Sequence, residues 1–283
     1  MEMEVSLSKK FRICLDLSSQ SSNIMLYFHS SLSGIYNALK RSGALDDMLR
    51  RGIEHLHVYG IDNVLTKSLD PAFLGVCIAN KVECGNKVVW RANKAEKVGV
   101  SVSINGRMSV LEYSEIPTNL AEAEDSDGKL IFGAANICNH YLTVEFLLKK
   151  VLPTLSNSYH LATKKIPYMD PVTHKSIVPS QNNGYKLEMF IFDVFPLTTE
   201  WIVMEVNRND EFAPVKNEPG NPVDSPNSAR NMMSSLAKKW LAAAGAVLKN
   251  DDEQCEISSL LSYDGEGLEK YHGCTIELPC YLE

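Results

Sequence analysis

Along the chain the apolar positions switch between a helical and a strand period, and the switches mark out the elements. Ile35, Leu39, Leu45, Met48 and Leu49 fall at helical spacings, interrupted at Ser42-Gly43 and stopped at Gly52, which predicts two short helices. Residues 53–65 (IEHLHVYGIDNVL) are rich in β-formers and meet the polar pair Asp62-Asn63, so a strand is expected to end at Asp62. Residues 73–79 read as a helix and 87–92 as a strand, with Cys84-Gly85-Asn86 as the turn between them. The sharpest local signal is GVSVSI-NG-RMSVLEY, where Asn105-Gly106 supplies a two-residue type I′ turn between two β-rich arms. Counting outward pairs Ile104 with Arg107, Val102 with Ser109 and Gly99 with Glu112.

Residues 129–135 (KLIFGAA) read as a buried strand with Asn136 at its carboxyl end. Thr143 caps a helix carrying Val144, Leu147, Leu148 and Val151, which stops at Pro153. A β-excursion is expected over 166–185, and 187–195 (LEMFIFDVF), apolar around its whole circumference, is expected as a buried helix. Trp201 to Met204 form an apolar strand closed by Val206, and the polar residues 207–210 turn the chain out of the sheet. Ser225 then caps a helix with Pro226 at its first position and Ala229, Met232, Met233, Leu236 and Trp240 on its packed face, before Gly245 stops it. Short apolar alternations over 255–283 predict a small β-rich end. This order predicts an α/β domain over 34–217 and, beyond the Pro/Gly/Asn/Asp-rich linker 218–227, a helix plus β-rich domain over 218–283. Residues 1–33 are serine-rich without a sustained period and are expected to be poorly ordered.

With 283 residues, 45% of them hydrophobic and 22% charged, the chain has the composition of a globular protein with a substantial core. No apolar run approaches the roughly 18 residues of a membrane span, and the amino terminus lacks a secretory pattern, so a cytoplasmic protein without membrane partners is expected. The net charge of -7 argues against a nucleic-acid or anionic-membrane surface, while leaving room for a small basic pocket that takes an anionic ligand. Seven cysteines without C-x-x-C spacing indicate neither a disulfide framework nor a zinc site.

The candidate chemistry sits where predicted strands end. Asp62 is either a turn former or a carboxylate placed to hold a divalent metal on a phosphate, since Mg²⁺ takes one or two carboxylates plus substrate oxygens. His55 and His57 share one strand face, and without a third ligand nearby they read as packed strand residues. Gly99 opposite Glu112 either begins a strand or leaves room for a ligand hydroxyl to reach the carboxylate. Asn136 sits at a strand end as Asp62 does. Lys216, in EVNRNDEFAPVKN, follows a strand on a loop stiffened by Pro214; it reads as a solvated lysine or as a fixed ammonium for a phosphate.

Taken together, RRGIEHLHVYGIDN, KVGVSVSINGRMSVLEYSEI, LIFGAANICNH, KKIPY, LEMFIFDVF, VNRNDEFAPVKN and CEISSLLSYDGEGLE resemble, in order and wording, the eukaryotic UDP-N-acetylhexosamine (UDP-N-acetylglucosamine) pyrophosphorylases. The resemblance implies a nucleotidyltransferase-type doubly wound mixed α/β sheet with a small C-terminal α+β domain. It also implies a uridylyltransferase that joins UTP to N-acetylglucosamine 1-phosphate, releasing UDP-N-acetylglucosamine and pyrophosphate with Mg²⁺ (or Mn²⁺). By the same pattern Gly99, Glu112 and Asn136 would contact the sugar, Asp62 would lie near the metal and phosphates, and Lys216 would meet the sugar-nucleotide phosphate. Nothing in residues 1–33 matches the family's glycine-rich triphosphate loop, and Leu32-Ser33-Gly34 stands where the family has Asn-Gly-Gly. The sheet is therefore expected to be incomplete at its N-terminal side and the chain weak or inactive. The alternatives are a non-catalytic form that binds nucleotide sugar or associates with itself or a full-length homologue, and the same chemistry on N-acetylgalactosamine or glucose.

Overall fold

Glycines and capping side chains divide the chain where the sequence places its breaks. A computed structural model describes residues 3–7, 11–15, 34–154, 160–169, 173–188 and 190–283. Met3–Leu7 (β1) and Phe11–Leu15 (β2) pair as an antiparallel hairpin inside the segment that showed no strand period; the remaining residues up to 33, and the expectation of poor order for them, lie outside the described residues. Ile35–Arg41 (α1) and Ala44–Arg50 (α2) are separated by Gly43, whose φ of 76° only glycine adopts without strain. His55–Tyr59 (β3) follows and ends three residues before Asp62, because the chain turns at Gly60, whose N–H still bonds Cys138.

Pro71–Ala79 (α3) starts on Pro71, with the Asp70 carboxylate accepting from Ala72 N at 2.9 Å. Cys84–Trp90 (β4) begins at Cys84, so Cys84-Gly85-Asn86 is strand and not turn. Gly85 is what lets α3 close on that strand, since a Cβ there would meet Cys77 Sγ at 2.7 Å. Val100–Ile104 (β5) and Arg107–Leu111 (β6) form the predicted hairpin in the predicted register, with φ of 52° and 77° at Asn105 and Gly106.

After the single turn Thr118–Ala121 (α4), the long strand Ala134–Thr143 (β7) starts later than the apolar run 129–135 suggested. Asn136 consequently lies near the start of a strand and not at a carboxyl end. β7 leads into Val144–Phe146 (α5), a π-helical stretch Leu147–Val151 and Leu152–Thr154 (α6), with Thr143 Oγ1 accepting from Phe146 N at 3.1 Å. The β-excursion consists of His160–Lys164 (β8), Tyr168–Met169 (β9), Ser176–Ile177 (β10) and Gly184–Glu188 (β11), paired β8 with β11 and β9 with β10. The apolar run 187–195 is split between β11 and a 3₁₀ helix, Ile191–Leu197, so the single buried helix expected there is absent. Proline at 196 and aromatic packing favour the tighter helix; Phe192 and Phe195 are core residues as expected. Trp201–Glu205 (β12) precedes a one-turn helix, Arg208–Glu211 (α7), capped by Asn207 where a turn was expected.

Pro226–Ala243 (α8) has the predicted Ser225 cap and Pro226 start. Val247–Lys249 (β13), Cys255–Ile257 (β14), Thr275–Glu277 (β15) and Cys280–Leu282 (β16) complete the small β-rich end, pairing β13 with β15 and β14 with β16 in parallel.

The central sheet is six-stranded and mixed, in the order β12-β4-β7-β5-β6, with β3 also on β7; β12 and β4 run parallel and the other pairs antiparallel. Alternate residues face opposite sides. Leu56, Val58 and Leu142 pack with Ile35, Leu39, Met48, Phe146, Leu147 and Phe195 on one face, while Tyr141 packs with Phe73 and Cys77 of α3 on the other. Burying each of these large side chains stabilises the fold by about 1.5–3 kcal/mol. No helix among the described residues is long and apolar enough to cross a membrane.

Candidate functional site

β7 is where the candidate residues meet, because its pairing is split. One of its edges is taken by β4, which pairs with both Ala135 and Leu142. The opposite edge is shared: β3 pairs from Thr143 to Asn139, and β5 only at Ala135. Between them, residues 136–138 of β7 face a gap bounded by Gly60 and Gly99, which bond the strand through Gly60 N to Cys138 O (2.9 Å) and Asn136 N to Gly99 O (2.8 Å). The β4 register confirms a distortion there, with Asn86 opposite His140 but Val88 opposite Asn136, so three β7 residues oppose Lys87 alone. Cys138 sits at the centre of this bulge with φ of 54°, a conformation rare for a residue with a side chain.

Two carboxylates enter the gap over glycines. A Cβ on Gly99 would lie 2.8 Å from Glu112 Oε1, and one on Gly60 would lie 2.6 Å from Asp62 Oδ1. Gly99 and Glu112 thus face each other as the hairpin count requires, and Gly60 plays for Asp62 the part that Gly99 plays for Glu112. Asn136 is half-buried; its Oδ1 accepts from Cys138 N at 3.2 Å, which fixes the amide and leaves Nδ2 as its donor. The strand-end geometry was expected from two carboxyl ends. It arises instead because β3 runs antiparallel to β7, so the end of β3 lies beside the start of β7.

Lys216 reaches the same place through a second strap. Asn63, buried beside the exposed Asp62, donates from Nδ2 to Glu211 O at 2.7 Å and accepts from Ala213 N at 2.8 Å. Asn63 also bridges Pro214, and Val215 N donates to Asp62 O at 2.9 Å, so residues 62–64 and 213–215 lie side by side. Lys216 is exposed just beyond, with its N–H bonded to Asp224 O at 2.7 Å. Cys138 records the convergence. Burial pushes its thiol up to about 12, and the charges acting on it are Asp62 and Glu112, which raise it, and Lys216, which lowers it. The five predicted residues Asp62, Gly99, Glu112, Asn136 and Lys216 therefore gather around one bulge.

Sequence reasoning missed Gly60, Asn63 and Cys138, and also the polar support behind the bulge. Lys87 is fully buried in β4 and bonds both Asp70 and, at 2.5 Å, Glu211. Lys67 extends the chain of charges from Glu211 (3.5 Å) to Asp264 (2.7 Å). Burial works to raise the Asp70 carboxyl, and the Lys87 ammonium more than offsets it, holding the group below its ordinary value. Leu69 N donates to His57 Nδ1 at 2.9 Å, which leaves the proton on Nε2 for Asn139 Oδ1 at 2.7 Å, next to Cys138. The only available signal was polar residues in otherwise apolar strands, LHVY and NKVVW.

Among the described residues no group of three or more His, Cys, Asp or Glu side chains gathers to hold a metal ion. A fully protein-built cage does not fit there. Asp62, exposed at the gap, fits a Mg²⁺ or Mn²⁺ whose other ligands are phosphate oxygens and water.

The profile of the UTP--glucose-1-phosphate uridylyltransferase family matches residues 8–264, reaching into the amino-terminal segment that the motifs leave out. A UDP-N-acetylglucosamine pyrophosphorylase of Saccharomyces cerevisiae is 44% identical over 244 residues, 85% of this chain and 51% of the yeast protein. UDP-N-acetylhexosamine pyrophosphorylase-like protein 1 of Homo sapiens is 40% identical over 271 residues, 88% of this chain and 53% of the human one. Among solved structures, a Trypanosoma brucei UDP-N-acetylglucosamine pyrophosphorylase superposes with a TM-score of 0.69 at 28% identity, covering 87% of this chain and 48% of that one. The chain spans about half the length of the curated relatives it matches. By the matched span, the chain belongs to the UTP--glucose-1-phosphate uridylyltransferase family.

Proposed function

We propose that the chain carries the sugar-phosphate side of a uridylyltransferase site, of the kind that joins UTP to N-acetylglucosamine 1-phosphate. The observation that supports this reading is the convergence of Asp62, Glu112, Asn136 and Lys216 on the β7 bulge, where Gly60 and Gly99 give the Asp62 and Glu112 carboxylates room at its rim. In the reaction an oxygen of the sugar phosphate attacks the α-phosphorus of UTP, one P–O bond forms, another breaks, and pyrophosphate leaves. The protein's part is to position two anions and neutralise developing charge. Glu112, its carboxylate seated over Gly99, accepts a sugar hydroxyl, and Asn136 donates from Nδ2 to the sugar. Lys216 pairs with the phosphate. Asp62 would hold a Mg²⁺ ion, which supplies charge neutralisation at the phosphates when bound. The similarity to N-acetylhexosamine pyrophosphorylases favours an N-acetylhexosamine over glucose, since the UDP-glucose pyrophosphorylase structures are only 17–18% identical and speak to the fold alone. We place this activity in the cytoplasm.

The 283 residues contain no glycine before Gly34, so no glycine-rich loop within them cradles a triphosphate, and we propose that this chain binds the nucleotide sugar but turns over weakly or not at all. Calorimetric titration of the chain with UDP-N-acetylglucosamine and with UDP-glucose, in Mg²⁺, tests the reading. Saturable binding of the N-acetylated sugar with a dissociation constant below about 1 mM is expected, the upper end of ordinary substrate affinities. No saturation in that range, or equal affinity for UDP-glucose, would count against it.

A further inference from the structure

We propose that Cys255 and Cys280 form a reversible disulfide under oxidation by a hydroperoxide, which makes the carboxy-terminal lobe a redox-modified site; this stands apart from the proposed reaction. Cys255 of β14 and Cys280 of β16 are direct partners in a parallel ladder, and their sulfurs are 3.7 Å apart. Neighbouring strands lie about 4.8 Å apart, inside the Cα separation of roughly 4.4–6.8 Å that a disulfide spans. Closing the remaining distance between the sulfurs is therefore a matter of side-chain rotation, with the backbone left in place. That backbone is held on both sides: Cys255 N donates to Ser234 Oγ at 2.8 Å, and Cys280 N to Gln254 O at 3.1 Å.

The pair can also be reached. Both cysteines line a cavity of about 480 Å³ that also touches Arg230, Met233 and Gln254 of α8 and the loop before β14. Cys280 is half-buried, whereas Cys255 is only 2% exposed. Burial, with the Cys280 sulfur beside it, pushes the Cys255 thiol up to about 12, so Cys255 is a poor first nucleophile. Access, with the raised Cys255 thiol, gives the order of events. Cys280 sulfur attacks a peroxide oxygen and the O–O bond breaks, leaving a sulfenic acid on Cys280 and an alcohol or water. Cys255 sulfur then attacks that sulfenic sulfur; the S–S bond forms, the S–O bond breaks, and the hydroxyl leaves as water with the Cys255 proton. Two thiols and one peroxide thus give one disulfide, with the peroxide reduced.

The link would close a loop over residues 256–279. That loop braces the strap behind Asp62: Tyr263 Oη donates to Ser68 O at 2.9 Å, and Asp264 accepts from Lys67 Nζ at 2.8 Å. Oxidation staples the segment that supports one rim of the bulge. The spacing of the two cysteines in sequence gives no sign of this, because the pairing depends on β14 and β16 lying side by side.

The experiment treats the purified 283-residue chain with hydrogen peroxide, blocks free thiols with N-ethylmaleimide under denaturing conditions, and maps the digest by mass spectrometry. The expected result is a Cys255 peptide joined to a Cys280 peptide, lighter by two hydrogens than their sum and lost after dithiothreitol. In Cys280→Ser, a change at a half-buried position, Cys255 should be recovered carrying maleimide. Maleimide on both cysteines of the peroxide-treated wild type, sulfinic acid on Cys280, or either cysteine joined to a different one would overturn the proposal.

Discussion

Glu112 is the residue whose role is most sharply set by a neighbour without a side chain. Because a Cβ on Gly99 would lie 2.8 Å from Glu112 Oε1, the glycine is what lets the carboxylate sit at the gap, and removing the carboxylate should cost ligand affinity. A carboxylate-to-hydroxyl bond contributes about 1.5–3 kcal/mol, so Glu112→Ala should weaken UDP-N-acetylglucosamine binding by at least about tenfold in the same calorimetric titration. An unchanged dissociation constant would assign Glu112 to the hairpin alone. Lys216 makes a parallel case. It is exposed on a loop whose bonds come from its backbone, so Lys216→Ala should keep the melting temperature within a few degrees, surface changes being usually within about 0.5 kcal/mol. A large drop in melting temperature with affinity retained would make Lys216 structural. Both positions were legible in the sequence because a two-residue turn fixes a register by counting, and a proline fixes a loop.

At the scale of elements the legible features were those set by local chemistry: the Asn105-Gly106 hairpin, the Thr143 cap and the Ser225-Pro226 helix start. The bulge at Cys138 was not, since a register shift belongs to two strands and only one of them carries the unusual residue. The burial of Lys87 was not legible for a similar reason, since its carboxylate partners come from distant segments. Breaking that pair is expected to be expensive. Lys87→Met leaves Asp70 and Glu211 buried without their shared cation, and one-sided loss of a buried pair costs about 3–5 kcal/mol. Urea unfolding at neutral pH measures this, and a loss below about 1 kcal/mol would mean that Lys67 and solvent compensate. Adding Glu211→Gln should recover part of the loss.

The contact between β4 and β7 also sets a pH dependence. His140 donates from Nδ1 to Asn86 Oδ1 at 2.8 Å, while its Nε2 is buried with no hydrogen-bond partner among the described residues. Burial, and then the neighbouring His57, push its pKa down to about 3, and burial lowers that of His57 as well. Between that value and an unfolded pKa of about 6.5, the unfolded chain takes up a proton that the folded chain refuses. The stabilisation is complete above about 6.5 and is lost as the pH falls toward 3, at up to about 1.4 kcal/mol per unit from His140. Urea midpoints should fall between pH 7 and pH 5, and His140→Gln should flatten that dependence. An equal slope in the variant would locate the effect in other groups.

The whole molecule brings the prediction that separates binding from chemistry. A triphosphate carries several charges, and catalysis requires donors aimed at the phosphoryl group as charge develops on it. Asp62, Lys216 and their straps lie on the side of the sheet assigned to the sugar phosphate. For the triphosphate, residues 1–33 contain no glycine, and their lysines and arginines are Lys9, Lys10 and Arg12. Each missing aimed donor costs on the order of 3 kcal/mol in the transition state, so losing two slows the reaction by roughly four orders of magnitude. The 283-residue chain should therefore bind UDP-N-acetylglucosamine yet release almost no pyrophosphate when given UTP, N-acetylglucosamine 1-phosphate and Mg²⁺ in a coupled assay. Turnover of about 1 per second or faster, within the ordinary enzyme range, would show that this chain completes the triphosphate site with residues other than a glycine-rich loop.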